Sequence, residues 1–171
     1  YYLTALFKIL GPVDEIISYS QKTFPVRKVD NSKVKYKNID VDVDTHYLAL
    51  LKFKSGVVVD FEISFDIWKP YEPKLEFYGT LSSIKFADPN NYDGDVSIFD
   101  KNSYQWEKVH SSTNEENNYY RGLGVINMVK SITDNNISQD EILLPFHVLE
   151  VMCALETYDG KGRWEKIKPQ F

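Results

Sequence analysis

The stretch HYLALLKFKSGVVVDFEISFDIW, residues 46–68, constrains the fold more than any other part of the chain. Its second half alternates apolar and largely polar residues from Val57 to Trp68, which is the period of a β-strand with one face toward a core. A KSG turn precedes this half, so the whole stretch predicts a β-hairpin. The first strand is apolar on both faces over most of its length, and we expect it to lie more centrally in the sheet.

The chain opens with YYLTALFKIL, an apolar helical pattern that ends at Gly11-Pro12. Its polar residues Tyr1, Thr4 and Lys8 follow i, i+3, i+7 spacing and therefore share one helix face. The pattern predicts a largely buried helix with a narrow polar stripe. A start this apolar and without Met is typical of the interior of a longer protein, since natural termini are usually polar and frayed.

Short strand patterns follow on both sides of the hairpin, and two helical patterns complete the chain. One runs from Leu123 to about Ile132, and the other from Pro145, placed in its first turn, to about Leu155. Cys153 lies in this last pattern, where we expect it to pack as a small apolar residue. The order predicts an α+β fold with a broad, mostly antiparallel (mixed) open-faced β-sheet and helices packed on one face.

Charge and cysteine content exclude several classes of function. The net charge is −5 with a pI near 5.2, and no basic stripe is present, so we expect no nucleic-acid partner. No apolar run approaches the length of a membrane span, which predicts no membrane association. The opening stretch lacks the basic start and cleavage site of a signal peptide, and one cysteine cannot form an intrachain disulfide. These features favour a cytoplasmic protein.

Few catalytic or metal-binding motifs are present. The three histidines lack ligand spacing, and GLG at 122–124 lacks the third glycine and preceding strand of a dinucleotide-binding loop. The acidic stretches at 40–44 and 88–95 lack calcium-loop spacing and are typical of a solvated strand face and a turn. We therefore expect no metal site.

Five stretches, in order, resemble the C-terminal domain of the glucose–fructose oxidoreductase / inositol dehydrogenase / MocA (Gfo/Idh/MocA) family of NAD(P)-dependent oxidoreductases. They are YYLTALFKILGPV, HYLALLKFKSGVVVDFEISFDIW, LEFYGTLSSIKFADPNNYDGDV, YYRGLGVINMVKSI and HVLEVMCALE, and together they cover nearly the whole chain. One departure is GTLSS, where such proteins often carry a second glycine. The resemblance implies that residues 1–171 form a single C-terminal substrate-binding and oligomerisation domain, whose N-terminal Rossmann domain is missing from this chain.

The resemblance also implies site residues. Tyr1 stands at the final position of a D-x-G-x-H or D-x-G-x-Y motif, where some members use Tyr as acid/base beside the transferred hydride, assisted by a lysine from the missing domain. A phenol ordinarily ionises near pH ~10, so this role needs a nearby cation. Tyr2 could take the role instead, and Tyr1 would then be a packing aromatic. Thr4 stands where some members place a substrate-contacting Asp.

Further substrate contacts are implied at the end of the long strand and in the last two helical regions. They are Trp68, Lys69, Tyr71, Arg121 and His147. The residues themselves leave other roles open, namely an exposed loop or subunit contact for the first three, a cap or ion pair for the arginine, and core packing for the histidine.

The resemblance implies NAD or NADP in the full-length protein, with none expected on this domain alone because the cofactor site lies in the missing domain. It implies a sugar, cyclitol or related polyol as substrate and a homo-oligomer formed through the open sheet face. The alternative is a non-enzymatic sheet-based module that dimerises or binds a ligand. That alternative accounts for the lack of a complete catalytic set, and accounts poorly for the apolar start.

Overall fold

The computed structural model describes residues 1–28, 38–71, 74–91, 94–109, 122–136, 139–157 and 164–167. Its helices and strands, in chain order, are α1 (Tyr2–Leu10), β1 (Val13–Gln21), β2 (Val26–Lys28), β3 (Asn38–Asp40), β4 (His46–Phe53), β5 (Val58–Ser64), β6 (Glu76–Tyr78), β7 (Ser83–Lys85), β8 (Val96–Asp100), β9 (Gln105–Val109), α2 (Leu123–Thr133), α3 (Gln139–Glu156) and β10 (Glu165–Lys166). The chain divides into two units. Unit 1 comprises Tyr1–Ala5 and Lys69–Glu141, and unit 2 comprises Leu6–Trp68 and Ile142–Phe171.

Unit 2 is built on an antiparallel sheet with strand order β10-β1-β4-β5. The predicted hairpin is confirmed, and β4 lies between two strands as expected. Gly56 supplies the positive φ of +87° that the turn between β4 and β5 requires. The turn closes through bonds from Phe53 N to Val57 O (2.9 Å) and from Gly56 N to Phe53 O (2.8 Å). A three-residue loop with glycine in the left-handed region is a common hairpin connection.

Strand register gives this sheet two different faces. Ile16 pairs with Leu51, and Ala49 pairs with Phe61, and all four side chains are buried on one face. The opposite face, which we call the outer face, carries apolar side chains that are largely exposed. Tyr19, Leu48, Leu50 and Val58 are 40–54% exposed.

Parts of α1 and α3 cover the buried face. Leu6 and Phe7 of α1 are buried, and the Phe7 ring lies 6.0 Å from the Phe53 ring in an edge-on contact. Val151 and Leu155 of α3 are buried as well. Burial of a leucine or phenylalanine side chain contributes about 1.5–3 kcal/mol, so this layer is a main source of stability in unit 2.

His147 is the polar centre of that core. The ring is fully buried, lies 4.9 Å from the Phe7 ring, and accepts a 2.9 Å hydrogen bond at Nε2 from the Val13 backbone N–H. Nδ1 lies 3.0 Å from Glu150 Oε2. Because Nε2 accepts, a neutral ring carries its proton on Nδ1, and this N–H donates a hydrogen bond to Glu150. His147 thus joins α3 to the start of β1.

The other side of α3 is apolar too. Ile142, Phe146, Leu149 and Met152 are 47–64% exposed, and Cys153 is exposed. The expected packing role of Cys153 is therefore wrong, because the residue is two positions from both Val151 and Leu155 and so lies on the side of the helix opposite the buried stripe. A helix that is apolar all round is normally buried on both sides.

Unit 1 contains a second antiparallel sheet, with order β6-β7-β8-β9. Aromatic rings stabilise it, with Phe99 5.5 Å from Trp106 and the Lys85 ammonium 3.8 Å above the Trp106 ring. Helix α2 also belongs to unit 1, and none of the residues of this helix is buried.

A cluster of three polar side chains, the Asp88 network, ties the start of α1 to the segment after β7. Tyr2 donates to Asp88 Oδ1 at 2.7 Å, and Lys74 donates to Oδ2 at 2.7 Å. The Lys74 hydrogen bond, supported by the Asn90 backbone N–H and by Tyr2, lowers the pKa of Asp88 to about 2. Burial, together with the Asp88 hydrogen bond, raises the pKa of Tyr2.

The α+β class and the antiparallel pairing are confirmed, but several details differ from expectation. The described strands form two four-stranded sheets and a β2–β3 pair, rather than one broad sheet. The alternating strand ends at Ser64 rather than at Trp68. Phe65 N still bonds Thr45 O at 2.8 Å in the β4–β5 register, and Phe65 and Ile67 are exposed. Pro145 lies inside α3, since the helix begins at Gln139 rather than at the proline.

We predict that His147→Ala lowers the free energy of unfolding by about 3 kcal/mol, because it leaves a cavity and an unpaired Val13 N–H. Urea unfolding measures the change. Glu156→Ala, an exposed change in the same helix, is the control and should cost less than about 1 kcal/mol. Equal effects in the two variants would contradict the core role of the ring.

We predict that Asp88→Asn removes part of the acid dependence of stability. Since the pKa of Asp88 is lower in the folded protein than its ordinary value of 3.8, its contribution is complete above that value and is lost as the pH falls toward 2. Unfolding measured from pH ~6 to ~2 should show a shallower decline in the variant. Asp42→Asn is the matched control, and an Asp88→Asn curve identical to it would refute the prediction.

Candidate functional site

Tyr1 and Thr4 lie together at the start of α1 in unit 1. The Tyr1 side chain is 78% exposed, and Thr4 is exposed as well. The Tyr1 carbonyl accepts a 2.9 Å hydrogen bond from Ala5 N, which closes the first helical turn. This turn presents a phenol and a hydroxyl group, which are groups that exchange protons and hydrogen bonds with a hydroxylated ligand.

The two adjacent tyrosines differ in their surroundings. The Tyr2 phenol donates to Asp88 and is partly buried, whereas the Tyr1 hydroxyl has no hydrogen-bond partner among the residues that the structure describes. An acid/base group must be able to reach its substrate. The geometry therefore favours Tyr1 over Tyr2 for that role.

The segment that follows β5 combines a fixed start with exposed side chains. Thr45 donates to Asp66 Oδ2 at 2.8 Å, and Arg27 pairs with the same carboxylate. Burial opposes ionisation of Asp66, but the hydrogen bonds from Thr23 and Thr45 and the Arg27 charge outweigh it and lower its pKa. The sequence reasoning missed this anchor, because it assigned Asp66 to the polar face of a longer strand.

Three predicted contact residues come directly after that anchor. Trp68 is 100% exposed, Tyr71 is 96% exposed, and Lys69 is exposed. Trp68 belongs to unit 2 and the other two belong to unit 1. In unit 1 the exposed cation and phenol suit hydrogen bonding to a sugar. In unit 2 the exposed indole ring suits stacking on one.

The remaining two predicted substrate contacts are His147 and Arg121. His147 is fully buried with both ring nitrogens engaged, so the structure accounts for it as a core residue and leaves no ring surface for a substrate. Arg121 lies outside the described residues.

The described residues supply neither a metal site nor a recognisable cofactor loop. No group of three or more potential metal ligands occurs among them. Gly122 caps the start of α2 and Gly124 lies in its first turn, without the third glycine that a dinucleotide needs. Within the same part of the chain, no helix has the length and apolarity to cross a membrane.

A known protein family and several solved structures resemble this chain. Residues 1–85 match the family described as GFO/IDH/MocA C-terminal domain. No curated protein matches the chain. Among solved structures, levoglucosan dehydrogenase in its apo form aligns with a TM-score of 0.75 and 12% identity, over 99% of this chain and 50% of that one.

Two further structures share the fold. An oxidoreductase domain protein from Kribbella flavida has a TM-score of 0.68 and 16% identity, over 98% of this chain and 49% of that one. An NAD binding oxidoreductase from Klebsiella pneumoniae has a TM-score of 0.70 and 16% identity, over 97% of this chain and 48% of that one. The chain thus spans about half the length of these structures. Residues 1–85 therefore belong to a C-terminal domain of the GFO/IDH/MocA family, and nearly the whole chain shares the fold of these solved structures.

Proposed function

We propose that the chain is the substrate-binding and assembly half of an NAD(P)-dependent oxidoreductase, joined in the complete protein to an N-terminal nucleotide-binding domain. The family match over residues 1–85 carries this proposal, since it contains Tyr1, Thr4 and the segment after β5. A likeness to structures of about twice this length supports the second domain.

The proposed substrate is a sugar, cyclitol or related hydroxyl or carbonyl compound. Levoglucosan dehydrogenase has been solved with NADH and L-sorbose and with NADH and levoglucosan. The groups that this chain exposes suit ligands of that class. In unit 1, Thr4, Lys69 and Tyr71 would exchange hydrogen bonds with sugar hydroxyl groups. In unit 2, Trp68 offers a ring of the kind that stacks on a sugar face.

Tyr1 is the proposed acid/base. When bound, the nicotinamide supplies or accepts the hydride together with its two electrons. In the reductive direction the Tyr1 phenol donates its proton to the carbonyl oxygen of the substrate. Solvent then supplies a new proton to Tyr1. In the oxidative direction the phenolate takes the hydroxyl proton, which needs a cation nearby to stabilise the phenolate. That cation would come from the other domain.

We also propose that the protein assembles as a homo-oligomer through the outer face of the unit 2 sheet, in the cytoplasm. Tyr19, Leu48, Leu50 and Val58 are exposed apolar side chains on neighbouring strands of this face, which also carries Lys52, Asp60 and Glu62 at paired positions. Patches of this kind mark interaction sites more often than free surfaces. The same patch would serve the alternative, a non-enzymatic dimerisation or ligand-binding module, so the catalytic test separates the two.

We predict that Tyr1→Phe in the complete polypeptide lowers kcat by roughly 10²–10⁴-fold, the range for loss of an acid/base, while NADH affinity is unchanged. NADH formation and consumption should be followed with a panel of hexoses, cyclitols and anhydrosugars that includes levoglucosan and L-sorbose. Tyr104→Phe, at an exposed tyrosine, is the control. Full activity in Tyr1→Phe would remove the role from Tyr1, and absence of NADH binding by the wild type would favour the non-enzymatic alternative.

We predict that Leu50→Arg shifts the wild-type oligomer to a smaller species, because it replaces an apolar side chain with a charge on the face that would be buried between subunits. Analytical ultracentrifugation measures the shift. Ile39→Arg, at an exposed apolar position on β3, should leave the assembly intact. A monomeric wild type, or an unchanged oligomer in Leu50→Arg, would contradict the proposed interface.

A further inference from the structure

The Asp88 network has no part in the proposed chemistry, although it includes Tyr2, which lies between Tyr1 and Thr4. It joins residues that are far apart in sequence, since Tyr2 and Asp88 are separated by 86 positions. The network is partly sheltered from solvent, with 18% of the Asp88 side chain and 32% of the Lys74 side chain exposed. All of its members belong to unit 1.

Both carboxylate oxygens of Asp88 are engaged. Oδ1 accepts from the Tyr2 phenol at 2.7 Å and from the Asn90 backbone N–H at 3.0 Å, and Oδ2 accepts from Lys74 at 2.7 Å. The carboxylate cannot rotate without breaking one of these bonds. Hydrogen bonds to an ionised acceptor are roughly twice as strong as neutral ones, so the Tyr2 phenol has a stiff anchor.

Tyr2 is the first residue of α1, where a helix otherwise frays. Its neighbour Tyr1 contributes the carbonyl that receives Ala5 N, and Thr4 lies in the same turn. Fixing the Tyr2 ring therefore fixes the backbone that orients the Tyr1 and Thr4 side chains. A catalytic group that is misplaced by about 1 Å can lose two orders of magnitude in rate.

We propose that Tyr2, Lys74 and Asp88 are positioning residues that fix the first turn of α1 and thereby the direction in which Tyr1 and Thr4 face the substrate. The effect on turnover rests on the proposed function. The effect on the helix turn does not, and it can be measured separately.

The first test is amide hydrogen exchange in the complete polypeptide carrying Tyr2→Phe, which removes one hydroxyl and keeps the ring. The Ala5 amide should exchange about tenfold faster, the size expected for loss of a hydrogen bond to a charged group. The Gly11 amide, bonded to Phe7 O at the other end of α1, should be unchanged. Tyr104→Phe is the matched control and should alter neither amide.

The second test measures kinetics in the same variants, with NADH and the best carbonyl substrate of the panel above. Tyr2→Phe should lower kcat about tenfold with little change in KM. The isotope effect with NADH deuterated at C4 should increase, because a misplaced acid slows the chemical step. Loss of folded protein would lower kcat without changing this isotope effect.

An unchanged Ala5 exchange rate in Tyr2→Phe overturns the proposal. Faster exchange with unchanged kcat and isotope effect also overturns it, since the fixed turn would then be unused in catalysis. If the wild type turns over no substrate, the proposed function fails, and Ala5 exchange alone decides whether the network fixes the turn.

Discussion

The structure of unit 2 depends on the register that joins β1, β4 and β5. Side chains alternate in a strand, so a slip of one residue would send Leu51 and Phe61 to the outer face and bring Lys52 and Asp60 into the core. The core would then hold charges without partners. His147 reinforces the correct register at the start of β1, because its ring can accept only from a backbone N–H that reaches the buried face, as Val13 does.

The sequence was sufficient to predict the elements whose patterns are local. The β4–β5 hairpin, the helix that stops at Gly11 and the central place of β4 all follow from periodicity and turn residues. The first turn of α1 could also be read from spacing, which puts Tyr1 and Thr4 on one side. The roles proposed for these two residues came from family resemblance, because a tyrosine and a threonine one turn apart carry no chemical signature of their own.

Long-range polar contacts could not be predicted in the same way. Asp66 continues the alternating pattern of the sequence, yet it lies beyond the end of β5, and its carboxylate contacts Thr45 and Arg27. Asp88 stands in a loop rich in turn residues, and its Asn90 contact follows that local pattern, but no spacing rule connects it with Tyr2. For His147, periodicity could not distinguish a ligand contact from a ring that satisfies a buried backbone N–H.

The two-sided apolar character of α3 has a practical consequence. Val151 and Leu155 face the core, while Phe146, Leu149 and Met152 leave a second apolar stripe exposed on the same helix. Removed from whatever covers that stripe, the 171-residue chain would carry a surface prone to self-association and would be difficult to keep in solution at high concentration. Polar substitutions at these three positions would offer a route to a well-behaved isolated domain without disturbing the buried side of the helix.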